Sequence, residues 1–159
     1  MMVPWTPLLA ATLILSTGIT AAELRCLRPA SVTDAVSRAT AVFSGEAVAK
    51  GYRRVDLSAS GGVGEVEVLA VKFKVRRWWK GGNSRDVVLY TSVTKTPGVG
   101  VSSLAEDFAF RKGESYLVYA YGPPEKLRTS ACTRTSTLAQ AEEDLRELGE
   151  GRAPKEKGE

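Results

Sequence analysis

Val71, Phe73 and Val75 alternate with Lys72, Lys74 and Arg76. A period of two predicts a strand with one apolar and one basic face. Three large apolar groups on one face need a cover, so this stretch belongs to a packed β-domain. Trp78, Trp79 and the Gly81-Gly82 pair close it into a turn. The strand can begin as early as Glu65, but Val66 and Val68 lie in the opposite phase to Val71, which predicts a bulge near Leu69-Ala70. Residues 41–48 are β-formers around Gly45, a place for the bend that a small closed barrel needs. Further strands are expected at 87–91, at 116–121 (the most apolar of all) and at 127–131, the last delivering Cys132.

The pattern changes to helical spacing twice. Ser31-Val32-Thr33-Asp34 has the form of a capping box, and Val32, Ala35, Val36 and Ala39 follow as one apolar stripe. Near the end, Thr137-x-x-Gln140 predicts a second capping box, with Leu138, Ala141, Leu145 and Leu148 as the buried stripe and Gly149 as C-cap. Glu142, Glu143 and Asp144 suit the positive end of that helix. The glycine- and serine-rich residues 56–64 read as a hairpin loop and residues 95–105 as a mobile surface loop. Residues 1–22, with an apolar run from Leu8 to Leu15 and small residues before Glu23, read as a signal peptide. The run is short for a membrane span, and none is expected in the mature chain. One domain then occupies residues 23–149, and the Gly-, Lys- and Glu-rich residues 150–159 read as a disordered tail.

Composition narrows the chemistry. The chain has 159 residues, 43% of them apolar, and no histidine, so a real core is available but Ser-His and Cys-His nucleophile pairs are not. Phosphate-loop and dinucleotide signatures are absent, because Gly61-Gly62-x-Gly64 lacks a following helix. Glu106-Asp107, adjacent in a loop, is weak as an acid pair. No catalytic residue, metal site or cofactor is expected; the reading is a binding protein. The basic residues Lys72, Lys74, Arg76, Arg77 and Lys80 suit a polyanion such as a polysaccharide, envelope polymer or nucleic acid, although such a row is more often a solvated strand face. Trp78 and Trp79 also suit a ligand anchor, and Trp78 joins the basic row as a binding candidate, although one of the two is expected in the core and the other capping it. The presumed signal peptide places the protein outside the cytoplasm, in the cell envelope or beyond, where cysteines pair.

Several pieces then fall in a familiar order. They are Cys26, the first helix, Val42-Phe43-x-Gly45-x-x-Val48, the strand ending Trp79-Lys80-Gly81, Phe110-x-x-Gly113-Glu114-x-Tyr116-Leu117-Val118, and Cys132 before a closing helix. Over residues 24–149 the chain resembles the netrin-like domain of tissue inhibitors of metalloproteinases, in its bacterial secreted form. The resemblance implies a mainly β fold, a five-stranded OB-type barrel flanked by a short N-terminal and a C-terminal helix. It also implies a non-enzymatic, protein-binding role with an extracellular metalloprotease as a partner, and a Cys26–Cys132 disulfide. The family opens with Cys-x-Cys, where this chain has Leu24-Arg25-Cys26, and has a Cys-Gly-x-x-Phe piece where this chain has Glu106-Asp107-Phe108-Ala109-Phe110. The animal inhibitors chelate zinc through their first cysteine. A terminus at Glu23 is tethered only at Cys26, so Glu23, Leu24, Arg25 and Cys26 form a docking candidate from which little zinc chelation is expected.

Overall fold

The computed structural model describes residues 27–56, 64–104 and 106–155. One antiparallel sheet carries the fold. Its strands are β1 (Ala41–Asp56), β2 (Glu65–Lys80), β3 (Asp86–Thr96), β4 (Gly100–Ser102), β5 (Ser115–Ala120) and β6 (Ser136–Thr137), in the spatial order β4-β3-β2-β1-β5-β6. Two short helices, α1 (Val32–Arg38) and α2 (Glu142–Leu148), lie outside it. The protein is therefore mainly β, with six named strands where the resemblance implies five.

The central strand follows the period of its sequence. Val71, Phe73 and Val75 are buried, while Lys72, Lys74 and Arg76 are exposed. The β2–β3 register slips between Val68 and Ala70, where the phase of the valines predicts a bulge. The β1–β2 register likewise slips at Ser44/Gly45. A Cβ on Gly45 would sit 2.7 Å from the Lys74 carbonyl oxygen, so only glycine lets the two strands approach there.

The sheet curls, and a short segment spans the seam between β3 and β5. The Tyr90 amide donates to the Leu127 carbonyl (2.8 Å), and Arg128 exchanges two main-chain hydrogen bonds with Tyr121. Arg128 is thus bridged in parallel to β3 and antiparallel to the end of β5. The expected strand at 127–131 is reduced to this single bridging residue. Inside the curl lie Phe43, Phe73, Phe110, Tyr116, Trp78 and Leu89, with several rings in edge-to-face contact. A second core, on the outer face of β1 and β5, packs Val42, Leu117 and Tyr119 against Ala35, Ala39 and Ala141.

Three expectations need correction. Residues 95–105 are not simply a loop: β3 runs to Thr96, the chain turns at Gly98 (φ 77°), and β4 pairs back from Gly100. The closing helix starts later than its capping box implies. Residues Leu138–Gln140 form a 3-10 turn and α2 begins at Glu142; Thr137 makes no side-chain capping bond. The tail expected to be disordered is held over residues 151–155. Arg152 exchanges two main-chain hydrogen bonds with Trp78, and the Lys155 amide donates to Asn83 (2.7 Å). The signal peptide and the interior of the first hairpin loop lie outside the described residues.

Candidate functional site

The basic row is largely engaged within the protein. Lys72 pairs with Asp86 at 3.3 Å and Arg76 with Glu46 at 3.5 Å. Lys80 donates to the carbonyls of Val36 (2.8 Å) and Ser37 (3.3 Å), the orphan acceptors at the C-terminal end of α1. Arg77 reaches the Gly151 carbonyl at 3.3 Å. Lys74 is exposed and lies opposite Glu46 across the β1–β2 ladder. The five cations thus share a strand but not a common free field. Trp78 is 2% exposed and donates its indole N–H to Ser84. Trp79 is half-buried in the second core and donates to Gly149. Trp78 is thus core and too buried to anchor a ligand, whereas Trp79 does not cap that core but packs on the second one, because neighbouring strand residues point to opposite faces.

Glu23, Leu24, Arg25 and Cys26 lie outside the described residues. Cys132 is half-buried and is no free thiol. Glu106 and Asp107 line one small cleft with Tyr121 and Arg128, and an Asp107 carboxylate oxygen accepts from the Ser92 amide of β3.

Sequence reasoning missed a dense polar cluster. Asp144, 5% exposed, accepts from Arg134 Nε (3.2 and 3.0 Å) and from the Tyr119 hydroxyl (2.8 Å). Arg134 also reaches the Pro29 carbonyl at 3.4 Å, so its guanidinium ties the N-terminal segment to α2, and Tyr119 joins β5 to them through the same carboxylate. Burial disfavours the Asp144 carboxylate, but the hydrogen bonds from Arg134 and Tyr119 outweigh it and hold the pKa below the ordinary aspartate value. Burial, reinforced by the bond to Asp144, pushes the Tyr119 hydroxyl far up. Next to it, Thr135 Oγ1 accepts from the Tyr119 amide and Thr129 Oγ1 donates to its carbonyl. A signal existed: Asp144 falls three residues after Ala141 and four before Leu148, on the apolar stripe. The cluster is fully satisfied and its tyrosine is protonated at neutral pH, so it serves as a structural clamp and offers no general base.

The open surface lies at the other end of the sheet. Beyond Ala49 on β1 and before Val68 on β2, the distal strand ends extend with the end of β3 and β4 as a wing of exposed and half-buried residues. At its tip Val99, Val101 and Leu104 are 84%, 63% and 62% exposed, and Tyr52 stands out of β1 at 42%. On the adjoining strands Glu67 pairs with Lys95, whose ammonium lies 5.8 Å from the Tyr52 ring. By contrast, the open cleft between α1 and β5, about 220 Å³, is smaller than sites that enclose a small molecule. Among the described residues no cluster of three or more potential ligands is arranged to hold a metal ion. Comparison with protein-family models and with curated proteins finds no match for this chain.

Proposed function

We propose that the chain is a secreted, non-enzymatic binding domain of the netrin-like type that engages a protein through the tip of its wing. The observation that carries the reading is the exposure of Val99 and Val101 on the hydrogen-bonded β3–β4 hairpin and of Leu104 just beyond it. Exposed apolar side chains gathered on a fixed scaffold favour a protein surface over solvent. The OB-type barrel is supported by the seam: β1, β2, β3, the 127–128 segment and β5 make a ring of five, with the parallel contact at Tyr90 and Arg128. The same reading pairs Cys26 with Cys132. Docking through the wing dispenses with zinc chelation at the amino terminus, in keeping with the missing first cysteine.

The anionic-polymer reading is the weaker one, because Lys72, Arg76, Arg77 and Lys80 already have partners that a polymer would have to displace. One comparison tests both. The mature protein and a Val99→Glu/Val101→Glu/Leu104→Glu variant are assayed against secreted zinc endopeptidases and on heparin. Inhibition or binding lost in the variant but retained after amino-terminal acetylation supports the wing. Protease binding unaffected by the three glutamates would overturn it. Salt-sensitive heparin retention that disappears on changing Lys72, Lys74 and Arg76 to Gln would favour the polymer instead.

A further inference from the structure

Residues 151–155 lie along β2 and bridge it at Arg152, at a place where β2 would otherwise have an open edge. β3 begins at Asp86 opposite Lys74, so nothing from β3 reaches the last residues of β2. Their free side is occupied by the tail: Trp78 N donates to Arg152 O (2.8 Å) and Arg152 N to Trp78 O (2.7 Å). The fit is specific at one residue. A Cβ on Gly151 would lie 2.9 Å from the Trp79 ring, 3.0 Å from the Trp78 carbonyl and 3.1 Å from Arg77 Cβ. The slot therefore accepts a strand whose backbone passes flush against the tryptophan.

The tail is held through its own main-chain atoms, by the Trp78 and Asn83 main chain and by the Arg77 and Trp79 side chains, which reach the Gly151 and Gly149 carbonyls. Glu150, Arg152, Ala153 and Lys155 are exposed, and neither Gly151 nor Pro154 is buried. A few net hydrogen bonds are of the same order as the entropy of fixing the residues that make them, so such a strap is marginal. A strand-accepting edge filled by a weakly anchored segment of its own chain is the arrangement in which an outside strand can compete by β-addition.

We propose that the β2 edge at Arg77–Lys80 is a strand-binding slot, masked in cis by residues 150–155. Its trans occupant is an extended peptide with glycine opposite Trp79, followed by a residue that pairs with Trp78. The slot lies at the opposite end of β2 from the wing, so the two surfaces stand or fall separately.

The test uses the full chain and a synthetic peptide of residues 149–155 as probe. Gly151→Val should dislodge the strap, raising amide exchange at Trp78. Arg152→Pro, which removes a ladder donor without touching the core, should do the same. Both variants should bind the probe, read by tryptophan fluorescence. The wild type should bind it at least tenfold more weakly, because the cis segment competes at high effective concentration. A probe carrying valine at its second glycine should not bind. The proposal is overturned if the wild type binds the probe as tightly as the variants. It is overturned equally if the Trp78 amide stays protected in both variants, or if it is exposed and the probe does not bind.

Discussion

Replacing Asp144 with alanine should be among the most destabilising single changes outside the aromatic core. The substitution leaves the Arg134 guanidinium, whose side chain is 14% exposed, without its carboxylate, and strips the Tyr119 hydroxyl of its acceptor. Removing one partner of a buried ion pair costs about 3–5 kcal/mol, because the survivor stays desolvated and unpaired. With a urea dependence of about 2 kcal/mol per molar, the unfolding midpoint should fall by about 2 M. Arg134→Met with Asp144→Leu together should recover most of that loss, since no orphan charge remains. The pH dependence carries the same signature. The folded-state pKa of Asp144 is depressed, so its stabilisation is fully present above the unfolded value near 3.9 and is lost as pH falls through the lower folded value. Wild-type stability should therefore decline below about pH 4 more steeply than that of the double variant. Urea titrations of the wild type, Asp144→Ala and the double variant, at neutral and acid pH, decide the matter. A loss below about 1 kcal/mol for Asp144→Ala, the size of an exposed pair, would refute the clamp.

Two further outcomes are expected. Gly45→Ala places a methyl group against the Lys74 carbonyl at 2.7 Å; forcing the central strands apart should cost about 1–3 kcal/mol, read as a lower urea midpoint with the sheet retained by circular dichroism. Titration of the unreduced, unfolded protein should find no reactive thiol, and reduction should lower stability by up to about 4–5 kcal/mol for a closed loop of this length; two reactive thiols would reject the Cys26–Cys132 pairing.

What the sequence by itself determined is local. Alternation at Val71–Arg76, the phase slip before it, Gly45, the Ser31 cap (whose hydroxyl accepts from the Asp34 amide at 3.0 Å) and the Gly149 C-cap are written in neighbouring residues. Their physical causes, pleat, bulge and cap, act over a few positions. The tertiary structure decided the rest, because it depends on residues far apart in the chain. Lys72 and Arg76 look like a free basic row until the fold brings Asp86 and Glu46 beside them. Asp144 looks like an ordinary acidic helix start until Arg134 and Tyr119 bury it. The closing tail has the composition of a disordered segment, since a glycine-rich, charged stretch cannot form a core of its own. Residues 151–155 are held because β3 starts only at Asp86 and leaves an edge at Trp78 whose main-chain donor and acceptor need partners.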